Sequence, residues 1–152
     1  MRAIAAAVLL LASGAAASGA AAQAAGRAVM LPGIRYEVLA SGPATGAHPQ
    51  RGDTVSMRYV GRLSTSEIFS TSAEGGAQPS DFKVREVIPG MSAALQLMRP
   101  GDRWRLTLPA YLAYGALGRH HVAADRNLER DIPPDATLVF EVELVSVTGG
   151  AR

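Results

Sequence analysis

Side chains that ordinarily carry chemistry are few in this sequence, and their spacing does not suit the usual reactions. There are three histidines and no cysteines, so a thiol nucleophile, a disulfide framework and a lipid-attachment cysteine are all excluded. His120 and His121 are adjacent rather than four apart, so they lack the spacing of a helical zinc site. With Asp125 they read as a solvated loop. No serine sits in a nucleophile-elbow pattern, and no glycine-rich phosphate loop follows a strand. If the protein is an enzyme, its chemistry uses no metal, no cofactor and no nucleophile. Tyr114 is the better chemical candidate, because a Tyr beside Gly at the start of a loop can direct its hydroxyl into a cleft.

The elements that would position such residues are mostly strands. In "GIRYEVLASG" Ile34, Tyr36 and Val38 alternate with Arg35, Glu37 and Leu39. In "TVSMRYVGRL" Val55, Met57 and Tyr59 share one face. "FKV" is a short strand, and "DRWRLTLP" sets Trp104, Leu106 and Leu108 inward against Arg103, Arg105 and Thr107. "ATLVFEVELVSV" alternates most clearly, with Leu138, Phe140, Val142 and Leu144 opposite Glu141 and Glu143. These periods suit an antiparallel sheet with one face on a core and one in water. "STSEIFSTSAEGGAQPSD" is polar and turn-rich, with Ile68 and Phe69 as its apolar residues of note.

One stretch breaks the strand pattern. "VIPGMSAALQLMRPGD" is helix-sized and fenced by Pro89-Gly90 and Pro100-Gly101, with Leu97 and Met98 expected on a shared face. About two turns of helix cannot stand alone, so packing must hold it as the cover of the sheet's core.

The chain of 152 residues has room for one domain plus an extension. The net charge is +2 and all but one of the 15 basic residues are arginine. No basic run is interleaved with aromatics, which argues against nucleic-acid binding. Arg2, the apolar "IAAAVLLLA" and the small-residue "SGAAASGAAAQAAG" read as a secretory signal peptide with cleavage after Ala22 or Ala24. An uncleaved N-terminal membrane anchor is the alternative. The strongly apolar part is short for a span, so no membrane contact is expected beyond the leader. The expected organisation is a signal peptide at 1–24, a lead-in at 25–33, a domain at 34–148 and a tail at 149–152. A long connection at 119–131 interrupts the domain, and long loops in compact domains are often functional.

"RGDTVSMRYVGRL", "EVIPGMSAALQLMRPGDRWRLTLP", "AYGALG" and "IPPDATLVFEVELVSV" together resemble the FKBP-type peptidyl-prolyl cis-trans isomerases, in order and spacing, over about Ile34 to Val147. The resemblance implies an α+β fold: a five- to six-stranded antiparallel sheet curled around one short helix, with an apolar pocket between them. It implies rotation of X-Pro bonds in that pocket, acting on proline-containing unfolded or exported polypeptides in the periplasm or outside the cell, without a cofactor. By the same resemblance the catalytic residues are Tyr59, Phe69, Ile88, Tyr114 and Phe140. Val87, Met91, Ile132, Phe82 and Ser70 contact substrate, and Met91 forms the floor. The Ile88 N–H and the Tyr114 hydroxyl are expected to hydrogen-bond substrate carbonyls. Trp104, in phase with Leu106 and Leu108, belongs to the core.

The sequence departs from the family pattern at four places. Ser70 stands where the family usually has Asp, Met91 where Trp is common, and Ser80 where an aromatic is common. Thirteen residues lie between Gly118 and Ile132, where family members generally have a few. These departures imply reduced turnover and weak binding of the family's macrolide inhibitors. They also leave open a second function, a chaperone-like module that grips proline segments with little or no turnover.

Overall fold

The computed structural model describes residues 28–31, 33–124 and 130–149. The leader with its cleavage sites, Asp125, the centre of the 119–131 connection and the end of the tail lie outside them. The described chain forms β1 (Ala28–Leu31), β2 (Ile34–Ala40), β3 (Thr54–Leu63), β4 (Ile68–Thr71), β5 (Ser80–Lys83), α1 (Pro89–Leu95), β6 (Arg103–Leu108) and β7 (Leu138–Thr148). The sheet runs β1-β2-β6-β7-β3-β4, β5 pairs with β3 beside β4, and every pairing is antiparallel.

The sheet around one short helix is the expected architecture, with three local differences. The segment expected as a lead-in contributes β1, which pairs with β2 from Ala28↔Glu37 to Leu31↔Ile34. The segment expected as a polar turn contributes β4, because Phe69 and Thr71 gain buried positions beside β3 that outweigh the weak strand pattern of their neighbours. Leu97 is 42% exposed while Met98 is fully buried. The helix ends at Leu95, so the 3.6-residue period that would have paired them is lost.

Period-2 patterning sets which face each strand buries. Val55, Met57 and Tyr59 of β3, Trp104, Leu106 and Leu108 of β6, and Leu138, Phe140, Val142 and Leu144 of β7 all join the core. Trp104 is buried and stacks on Tyr36 at 4.4 Å between ring centroids. The opposite face carries cross-strand ion pairs: Arg105 to Glu37 at 3.1 Å and to Glu141 at 2.9 Å, Arg103 to Glu141 at 3.1 Å, and Arg58 to Glu143 at 3.1 Å.

The helix α1 begins after Ile88, which is extended at φ −56°, ψ 149°, and has Pro89 in its first turn, where the missing N–H costs nothing. Met91, Ala94 and Leu95 face the core with Met98. A Cβ on Gly90 would lie 2.7 Å from Leu108 Cδ2, so glycine lets the first turn press onto β6. At the far end the buried Asp102 carboxylate accepts the N–H of Gly42 (2.7 Å) and of Arg99 (2.8 Å), while Gly101 donates to the Leu144 carbonyl at 2.7 Å. These bonds fix the helix exit to the β2–β3 connection and to β7.

Candidate active site

Where the sheet curls over the start of α1 it encloses a cavity of about 450 Å³. Met91, 3% exposed, projects into it from the first turn of the helix. The walls come from four strands: Met57 and Tyr59 of β3, Phe69 and Ser70 of β4, Phe82 of β5 and Phe140 of β7. Val87 and Ile88 line it from the approach to the helix, Tyr114 and Arg119 from the β6–β7 connection, and Glu86 from beside Val87.

The aromatic walls brace one another, Phe69 with Phe140 and Tyr59 with Phe82 edge to face and Tyr59 tilted against Phe140. Phe69 and Phe140 sit 5.5 Å apart at 86°, and Tyr59 lies 5.8 Å from Phe82 and 6.1 Å from Phe140. Such geometry opposes the positive edge of one ring to the negative face of the next. Gly61 makes it possible: a Cβ there would come within 2.8 Å of Phe69 and 2.9 Å of Phe140. The Tyr59 hydroxyl and Ser70 Oγ are 3.0 Å apart in a buried hydrogen bond. Ser72 Oγ accepts the Tyr59 N–H at 3.1 Å, and the Ser72 N–H returns to the Tyr59 carbonyl at 3.0 Å. Tyr59 is thereby fixed at both its backbone and its hydroxyl. Ser80 does not line the cavity; its hydroxyl accepts the Ala73 N–H at 3.0 Å and shapes the turn between β4 and β5.

Of the residues expected at the site, Ile132 alone is not among those lining the cavity. It is 3% exposed and belongs to the core. Its backbone pairs with Arg119, N–H to carbonyl at 2.8 and 2.9 Å, and this bridge seals the base of the 119–131 connection. Gly118, at φ +64°, lets the chain enter the bridge, since a Cβ there would collide with the Ile132 carbonyl. The Arg119 guanidinium lies 5.5 Å from the centroid of the Tyr114 ring. Beyond the bridge, Asp131 accepts the His121 N–H at 2.7 Å and lies 3.3 Å from the His120 ring, and Arg130 pairs with Glu67 at 2.7 Å. The His121 N–H, followed by the His120 ring, holds the Asp131 carboxyl below its ordinary value.

Met57, Glu86 and Arg119 are pocket residues that sequence reasoning did not select. Met57 shares a strand face with Tyr59, which was the available signal. Glu86 directly precedes Val87, and Arg119 marks the start of the added segment, but neither position is apolar.

The family model described as FKBP-type peptidyl-prolyl cis-trans isomerase matches residues 45–145. The chain is 39% identical over 124 residues to the outer membrane protein MIP of Legionella longbeachae, covering 81% of this chain and 48% of that protein. It is 41% identical over 115 residues to the FKBP-type 22 kDa peptidyl-prolyl cis-trans isomerase of Escherichia coli K12, covering 76% and 50%. The crystal structure of a peptidyl-prolyl cis-trans isomerase from Pseudomonas syringae pv. tomato superposes with a TM-score of 0.62 at 41% identity, covering 77% of each chain. The chain belongs to the FKBP-type peptidyl-prolyl cis-trans isomerase family. It spans about half the length of these two curated relatives.

Proposed function

We propose that the protein is a peptidyl-prolyl cis-trans isomerase that rotates X-Pro bonds of exported polypeptides during folding. The observation that carries this reading is the aromatic-walled cavity over Met91, whose volume lies within the range of about 300–1,000 Å³ usual for ligand sites. Amide resonance imposes a rotation barrier of about 18–20 kcal/mol. The twisted amide has lost that resonance and its charge separation, so it suffers less than the planar form on leaving water. An apolar enclosure therefore favours the transition state over the ground state, with about tenfold in rate for each 1.4 kcal/mol of preference.

In this reading Phe69, Phe140, Val87 and Met91 enclose the proline ring, and Tyr59, held by Ser70 and Ser72, forms a rigid wall. The Ile88 N–H and the Tyr114 hydroxyl hold the carbonyls flanking the rotating bond, which fixes one side of the amide while the other turns. No proton is transferred to the enzyme. Glu86, the one carboxylate among the described residues lining the cavity, takes no part.

The leader and the family together support export, with cleavage giving a mature chain that begins at residue 23 or 25. Among the described residues no helix is long and apolar enough to cross a membrane. N-terminal sequencing of exported protein is expected to find one of those starts, and an intact Met1 in a membrane fraction would count against export. Among relatives named for an activity, the names are those of isomerases, so a binding module without turnover has no independent support. The function is tested by cis–trans relaxation of a short X-Pro peptide. The relaxation rate is expected to rise in proportion to protein concentration, more gently than with a relative carrying Asp and Trp at the Ser70 and Met91 positions, and macrolide binding is expected to be weak. A rate equal to the uncatalysed one, over tens to hundreds of seconds, contradicts the reading.

A further inference from the structure

We infer that Met57 and Met91 make the site peroxide-sensitive: their oxidation to sulfoxides closes the cavity to proline. The inference concerns regulation of the site and rests on the isomerase reading above. The chain has five methionines and no cysteine, so its thioethers are the sulfur available to a peroxide. Met57, 2% exposed, and Met91, 3% exposed, both line the cavity, whereas Met98 is fully buried and does not. The first two therefore share a route to solvent that Met98 lacks. A space that admits the proline ring of a substrate also admits a molecule as small as hydrogen peroxide. At the Met91 position, where the family commonly carries Trp, this chain places an oxidisable thioether.

In the step itself a lone pair of the methionine Sδ attacks one oxygen of hydrogen peroxide. The S–O bond forms as the O–O bond breaks, and the departing hydroxide takes the proton of the transferred oxygen and leaves as water. The thioether is oxidised by two electrons and the peroxide is reduced by two. The product is a polar, chiral side chain in a space lined by Tyr59, Phe69, Phe82 and Phe140. A proline ring buried against it cuts the sulfoxide oxygen off from water, a cost that the thioether does not impose. Sulfoxide reductases return the thioether, so the change is reversible.

The test treats the folded protein with hydrogen peroxide, follows each methionine by peptide mass and records cis–trans relaxation of a short Ala-Pro peptide. Met57 and Met91 are expected to gain oxygen before Met98, and more slowly when the peptide is present. As they do, kcat/KM is expected to fall about five- to hundredfold, the effect of an unpaired polar group in an apolar site. The far-ultraviolet circular dichroism is expected to stay unchanged, and sulfoxide reductases acting on both epimers are expected to restore the rate. Met57→Leu combined with Met91→Leu keeps side-chain volume and is expected to retain its own untreated rate through the same exposure. Oxidation of Met98 as fast as of Met57 and Met91, a rate unaffected once both are sulfoxides, or loss of the folded spectrum along with the rate overturns the inference. So does an equal fractional loss in the double variant. An untreated wild type that fails to accelerate the peptide contradicts the isomerase reading instead. In that event protection of Met57 and Met91 by the peptide, read by mass alone, still decides whether the two thioethers face a bound proline.

Discussion

The hydroxyl of Tyr59 is held by a serine. Ser70 Oγ lies 3.0 Å from it, and Ser70 and Met91 both line the cavity. A neutral hydroxyl orients Tyr59 without polarising it, and flexible methionine covers the floor less rigidly than an indole. Ser70→Asp together with Met91→Trp is expected to raise turnover by more than the product of the single effects, because neighbours sharing a cavity couple. Unchanged turnover in the double variant contradicts this account of the floor and wall. Gly61→Ala is expected to cost about 1–3 kcal/mol in denaturant unfolding and to lower turnover, since its methyl would force Phe69 and Phe140 out of their edge-to-face packing. At this scale the aromatic and aliphatic lining was legible from the family resemblance and strand phase. Gly61 was not singled out, although glycine inside a strand often marks a close approach. Arg119 and Glu86 escaped because nothing in local patterning brings a loop cation and a carboxylate to the mouth of one cavity.

Strands read best where one face is buried, as in β3, β6 and β7, because alternation then records the core directly. β1 and β4 lie at the two ends of the strand order and are four residues each, too short for alternation to distinguish them from turns. Their pairing is decided by long-range neighbours. The helix was legible from its Pro-Gly fences, but its early end, which turns Leu97 outward, was not. The 119–131 connection was visible as excess length, whereas its clamps, Arg119 to Ile132 and Arg130 to Glu67, depend on tertiary placement. We propose that the connection, whose base at the Arg119–Ile132 bridge lies beside Tyr114, meets a bound chain. Replacing residues 121–130 with a Gly-containing turn is expected to change unfolding stability by less than about 1 kcal/mol, since closure entropy varies slowly with loop length. Turnover of a short peptide is expected to survive while binding of an unfolded protein weakens. If unfolded-protein binding is unaffected, the connection does not contact the client chain.

Across the whole molecule, the sheet separates an apolar, curled inner face from an outer face of paired charges. On that outer face the Arg105 hydrogen bond, followed by that from Arg103, holds the Glu141 carboxyl below its ordinary range despite its partial burial. A lowered folded pKa contributes stability that is present above the unfolded value, about 4.3, and is lost as pH falls through the lower folded value. The urea midpoint of the wild type is accordingly expected to decline on acidification below about pH 5. In Glu141→Gln the decline should be shallower, and an identical pH slope in the two proteins contradicts the contribution of this network. The central claim is that the cavity over Met91 is where X-Pro bonds turn, and one exchange NMR experiment tests it most directly. A short X-Pro peptide is added to methyl-labelled protein, and its cis–trans exchange is recorded together with the methionine methyl signals. Met57 and Met91 line the cavity, while Met98 is fully buried and does not line it. The account predicts accelerated exchange accompanied by shifts of the Met57 and Met91 methyls, with Met98 much less affected. Absence of acceleration, or acceleration that leaves Met57 and Met91 unmoved, would contradict it.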